Sequence, residues 1–127
     1  MPRRRSGEEG SATTQLVIAT PALLTMLMLI VQIGLWFHAS HLAHAAAQEG
    51  ARAARIETGT PAAAETRARD LLASLGNDLI LDPAVAASRT GDTARVEVTG
   101  TTASVVPGLH LPVRAVSQGP VERFRTP

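Results

Sequence analysis

Between Glu9 and Glu49 the chain carries no Asp, Glu, Lys or Arg, and inside that gap lies "QLVIATPALLTMLMLIVQIGLWF", residues 15–37. A helix rising about 1.5 Å per residue crosses a hydrocarbon core of roughly 30 Å with about 20 apolar residues. This run therefore predicts a transmembrane helix. Thr20, Thr25 and Gln32 are tolerable within it, because a hydroxyl can bond back to a carbonyl of the preceding turn. Pro21 lies near the start, where neighbouring groups satisfy the freed carbonyl, and Trp36 marks an interface.

Arg3, Arg4 and Arg5 stand close to the start of the run, whereas the nearest arginine on the other side is Arg52. The positive-inside rule then predicts a cytoplasmic N-terminus and an extracytoplasmic C-terminal domain on a single-pass anchor in the cell membrane. The competing reading is a cleaved signal peptide, with small-residue sites around Ala43 to Ala47 and a soluble exported binding domain as product. Against it, the apolar part of a signal peptide is only about 7 to 15 residues long.

The helical pattern continues past the membrane. "HASHLAHAAAQEGARAARIE" has no proline and is rich in alanine, the best helix former, so one helix is expected over residues 11–57. Ala39, Ala43, Ala47 and Ala51 recur every fourth position, with Gly50 and Ala54 on a neighbouring row, so another element can approach this backbone closely. "TGTP" at 58–61 breaks the helix, and Thr60 followed by Pro61 reads as an N-cap with proline at the first helical position. In the second helix Ala64, Ala68, Leu71, Leu72 and Leu75 form an apolar stripe expected in the core, closed by Gly76 as C-cap.

From Pro83 the period changes to two. "AVAAS", the turn-like "RTGD" and "TARVEVTG" read as a hairpin in which Ala94, Val96 and Val98 alternate with Arg95, Glu97 and Thr99. A third apolar piece, "TASVV", is closed by Pro107 and Gly108. A fourth, "PVRAVSQ", alternates Val113, Ala115 and Ser117 with Arg114, Val116 and Gln118. The expected fold is α+β: a long N-terminal transmembrane helix continuing outside the membrane, a second short helix and a small antiparallel sheet of three or four strands. One or other helix would cover one face of the sheet. The corresponding division is 1–10 as a cytoplasmic leader-like segment, 11–57 as transmembrane and extended helix, and 58–127 as an exported α+β domain.

With 127 residues, 45% of them hydrophobic and 2% aromatic, there is room for one small domain and none for a large enzyme core. The net charge of +1 gives no electrostatic case for nucleic acid, and no cysteine is present for disulfides or thiolate metal sites. The three arginines at the N-terminus are more economically a topology signal than a phosphate contact. His38, His41 and His44 neighbour one another in pairs on a helix, but they drift round it and meet no carboxylate before Glu49. They read as amphipathic residues at the outer interface, so no metal and no cofactor is expected. No phosphate loop, nucleophile elbow or metalloprotease motif occurs, and the chain is not expected to be an enzyme.

Gly10, Ser11, Gln15 and Pro21, then Gln32, Ile33 and Gly34, then "AAAQEGARAA" at 45–54 follow one another in a register that resembles the TadE-like family of pilus-assembly proteins, pseudopilins of the tight-adherence secretion system. The resemblance lies mainly in residues 10–55, and the strand-rich remainder fits in outline. It implies a membrane-anchored, pseudopilin-like component of a Tad/Flp pilus assembly or secretion apparatus, acting by helix packing and protein–protein contacts. Its implied partners are membrane lipid, other pilus or secretion-system subunits and a prepilin peptidase, which would cut between Gly10 and Ser11. Helix packing and assembly would involve Gln15, Pro21, Gln32, Gly34, Ala43, Ala47, Gly50 and Ala51.

Gln15 and Gln32 stand where that family commonly places glutamates. Both keep the shape and lose the charge. The first would meet a neighbouring subunit's new N-terminal amine, and an amide makes that contact without the charge-assisted part. The change favours a membrane-resident accessory role.

Overall fold

The computed structural model describes residues 6–123; Arg3, Arg4, Arg5 and residues 124–127 lie outside the described residues. The chain forms α1 (Ser6–Arg55), α2 (Pro61–Leu75), β1 (Ile80–Arg89), β2 (Thr93–Thr102) and β3 (Pro112–Pro120). The α+β class expected from the sequence is what the chain adopts. The three strands make one antiparallel sheet in the order β1-β2-β3.

α1 runs unbroken through Pro21. The hydroxyls of Thr14, Thr20 and Thr25 each donate at 2.8 Å to the carbonyl four residues earlier, Gly10, Leu16 and Pro21. The helix ends at Arg55, two residues short of the expected Glu57; the Arg55 carbonyl accepts the N–H of Glu122 at 2.8 Å, and the carbonyls of the turn that follows are met by Arg89. The Arg89 guanidinium, at the end of β1, donates to the carbonyls of Gly59, Ile56 and Glu57, the last two at 3.2 and 3.1 Å. A cation placed there also complements the negative end of the helix dipole.

α2 starts as its sequence dictates. The Thr60 hydroxyl accepts the Ala63 N–H at 3.1 Å, and Pro61 follows the cap. Gly76 ends it with its own N–H on Leu72 O at 2.8 Å. Gly76 has an ordinary φ of −136°, and a Cβ there would push against the end of the Leu42 side chain of α1, so glycine gives this side chain room. Of the expected stripe, Ala64, Ala68 and Leu72 are buried and Leu71 is partly buried, but Leu75, the last residue of the helix, is exposed.

Both helices lie on the same face of the sheet, α1 across β2 and β3 and α2 against α1 and β1. The inward side chains are Val85, Ala94, Val96, Val98, Val113 and Ala115, and they meet Ala39, Ala43, Ala46, Ala47, Ala51 and Ala54 of α1. Residues 39, 43, 46, 47, 50, 51 and 54 trace one face of a helix, so small side chains let the backbones come close. At Gly50 an added Cβ would stand 2.9 Å from Ala64 O, 3.2 Å from Ala68 Cβ and 3.2 Å from Val96 Cγ1.

Two strand expectations are corrected. β1 begins at Ile80, ahead of Pro83, and carries a bulge between Leu81 and Ala84, with Asp82 at φ 49°. The proline fits because the bulge interrupts the ladder there. "TASVV" is no strand: beyond Thr102 it becomes the β2–β3 loop, in which Pro107 lacks an N–H, Gly108 takes φ 77° and the N–H groups of Val105 and Val106 go to a side chain. The sheet therefore has three strands. The "RTGD" turn does connect β1 to β2, with the Thr90 hydroxyl accepting the N–H of Thr93 at 3.0 Å.

Candidate functional site

α1 is two things in one helix. From Leu16 to Val31 its large apolar residues, among them Leu16, Ile18, Leu23, Leu27 and Ile30, are exposed. In its most apolar window only 6% of the residues are buried inside the protein, so this half is not the core helix of the head. From Gly10 to Val31 it measures about 33 Å at 1.5 Å per residue, long enough to cross a membrane. The outer half, from Gln32 onward, is the spine of the α+β head.

Gln32 is the junction. Its side chain is fully buried although it follows a bare helix. Oε1 accepts the N–H of Val105 at 2.8 Å and that of Val106 at 3.4 Å, and Nε2 donates to Ala103 O at 3.1 Å. One turn on, Trp36 Nε1 donates to Pro112 O at 3.0 Å, and the Trp36 and Phe37 rings meet edge to face with centroids 5.3 Å apart. The helix is thus clamped at two levels, to the β2–β3 loop by an amide and to the start of β3 by an indole.

The residues expected to serve cleavage and assembly separate into two groups. Gly10, Ser11, Gln15, Pro21 and Gly34 lie exposed on α1, and nothing stands within 4 Å of a Cβ added at Gly10 or Gly34. Gln32, Ala43, Ala47, Gly50 and Ala51 are instead buried within the protomer, against its own loop, α2 and sheet. Gly10 and Ser11 fall inside the helix, so a peptidase must unwind that turn to reach the bond.

His38, His41 and His44 are exposed, and His44 Nδ1 lies 2.8 Å from Ser40 O. No group of three metal-ligating side chains comes together among the described residues. A shallow groove of about 620 Å³ follows the α1–α2 seam; Glu49 there pairs with Arg67 at 3.0 Å and Arg52 at 3.6 Å. Two contacts escaped the sequence reading: Arg89 on the end of α1, and the β2–β3 loop on Gln32. The loop had a readable signal, since no Asp, Glu, Lys or Arg occurs between Glu97 and Arg114.

A long helix, bare and apolar in its first half and carrying a small α+β head on its second, defines a protein with one candidate membrane span and a head built around the continuation of that span. Residues 10–52 match the model of the TadE-like protein family, so over most of the long helix this chain is similar to TadE-like proteins, in the register its sequence pattern suggested. The match ends before α2 and the sheet. No curated protein and no solved structure matches the chain.

Proposed function

We propose that this protein is a membrane-anchored, pseudopilin-like component of a tight-adherence (Tad/Flp) pilus assembly or secretion apparatus, with its N-terminus cytoplasmic and its head outside. It works by helix packing and surface contacts with other subunits and has no catalytic role. The observation that carries this reading is the coincidence of the TadE-like match at residues 10–52 with a helix whose first half is apolar and uncovered and whose second half is the core of the head.

The same packing argues against a soluble exported product. Cutting in the mid-forties would remove Gln32, Trp36, Ala39 and Ala43, all of them contacts of the head, and would leave the sheet face uncovered. The residues left for subunits are the exposed Gln15 and Pro21 on the bare half and Gly34 just beyond it. If the chain is cut between Gly10 and Ser11, Gln15 would meet a neighbour's new amine about one helical turn in.

Carbonate-washed membranes and the mass of the mature N-terminus test the proposal together. The protein should stay in the membrane and start at Met1 or Ser11. A carbonate-soluble product starting in the mid-forties would overturn it.

A further inference from the structure

The β2–β3 loop lies in the second-longest stretch of the chain without Asp, Glu, Lys or Arg, residues 98–113, and the fold sets it beside the longest. Its sequence at 103–111, "ASVVPGLHL", leaves Val105 42% exposed, with Pro107, Gly108 and His110 exposed and Leu109 half-buried. Ala103, Val105 and Val106 hold Gln32, where the bare helix enters the head. The opposite end of the head is charged: Arg55 Nε donates to Pro120 O, Glu122 N to Arg55 O, and Arg123 pairs with Asp92 at 3.0 Å.

Helix geometry fixes the depth of the loop. Gln32 lies 17 residues beyond Gln15, or about 25 Å along the axis at 1.5 Å per residue. A hydrocarbon layer of roughly 30 Å that begins near Gln15 therefore ends near Trp36, about one turn past Gln32. The loop residues bonded to Gln32 are then level with the outer edge of that layer. Their backbone suits it. The N–H groups of Val105 and Val106 go to Gln32, that of Ala103 to Leu79 O at 2.8 Å and that of Leu109 to Val106 O at 3.1 Å, while Pro107 has none. The Ser104 hydroxyl donates to Val106 O at 2.6 Å. Around Val105 these donors are satisfied internally, which lowers the cost of taking that part of the loop out of water.

We propose that the 103–111 loop seats Val105 and its apolar neighbours in the outer interfacial layer of a phospholipid bilayer, so that the head is held to the membrane by the loop as well as by the helix. The inference rests on α1 spanning the membrane. The occupant is lipid because the buried Gln32 holds the loop, with Val105 exposed, at the level of α1 where the apolar Val31, Ile33 and Phe37 are exposed as well. Charge has no part in it: the flanking segment that bonds Ala103 carries Asp78 and Asp82, which gain nothing from anionic headgroups.

The chain has no cysteine, so single nitroxides at Leu24→Cys, Asp92→Cys, Val105→Cys and His110→Cys of the full chain in phosphatidylcholine bilayers test the proposal. The readout is collision with oxygen relative to a water-soluble nickel chelate. The ratio should be highest at 24, lowest at 92, and several-fold above the value at 92 at both 105 and 110. His110 is exposed, so its label reports even if Val105→Cys disturbs the loop. An aqueous ratio at 105 and 110 with an oxygen-rich 24 would overturn the loop insertion alone. Weak collision with both reagents at 105 would mean cover by protein and would overturn it too. An aqueous value at 24 would overturn the spanning reading, and the loop insertion with it.

Discussion

Gln32 and Val105 are joined by a hydrogen bond of 2.8 Å across 73 positions of sequence, the backbone N–H of Val105 donating to the Gln32 side-chain oxygen while the amide nitrogen of Gln32 holds Ala103 O. An amide can do both because it is acceptor and donor at once. A carboxylate, the group the TadE-like pattern commonly has here, could take the two N–H groups but would set an oxygen against the Ala103 carbonyl. The glutamine is therefore the residue this loop needs.

Gln32→Glu should lower the stability of the detergent-solubilised protein by about 1–3 kcal/mol, the range for a buried polar group left without its partner. Gln32→Leu should fall in the same range, since it abandons the N–H groups of Val105 and Val106. Thermal unfolding measures both. A Gln32→Glu protein melting with the wild type would show that the donor half of the clamp is dispensable.

Gly50→Leu, Ala43→Leu and Ala47→Leu should each destabilise the head by about 1–3 kcal/mol or more, the cost of forcing methylenes into a packed contact. The exposed His41→Ala should change stability little. Because these small residues are spent inside the protomer, co-purification with partners should fall only as far as folding does. Loss of partner binding by a fully folded Ala43→Leu protein would move that row to a subunit interface.

Arg89→Met removes the donors from the carbonyls of Ile56, Glu57 and Gly59 and should cost about 1–3 kcal/mol. Amide hydrogen exchange should speed up first in the last turns of α1 and around Thr60. Uniform acceleration across the sheet would instead mean that Arg89 supports the hairpin and not the helix end.

A reporter fused after Pro127 should be active outside the cytoplasm and one fused before Arg3 should remain inside. If a prepilin peptidase processes the chain, the mature protein begins at Ser11. Gly10→Leu then blocks the cut, while Gln15→Glu leaves the cut intact and strengthens any contact with the new amine. An intact N-terminus from cells with an active peptidase would make α1 a permanent, uncut anchor.

The local elements were legible without coordinates. The charge gap from Glu9 to Glu49, the Thr60–Pro61 start, the Gly76 stop and the period-two run at Ala94, Val96 and Val98 are each set by propensity, capping or burial within a few residues, and each stands where the sequence puts it. The TadE-like register of residues 10–52 was readable for the same reason, since it is carried by one continuous helix.

Tertiary structure alone decided the rest. Nothing in "TASVV" says loop instead of strand, because the ladder is lost to a glutamine 73 residues away. Nothing near Glu57 says that α1 ends two residues earlier, because the groups that take the carbonyls of Arg55, Ile56 and Glu57 arrive on Glu122 and Arg89. The alanine rows announce a close approach without saying what approaches, and Gly50 is occupied by the chain's own α2 and β2. Helix and strand periods express forces between neighbours along the chain, whereas each of these outcomes depends on which backbone donor or acceptor the fold brings to a distant side chain.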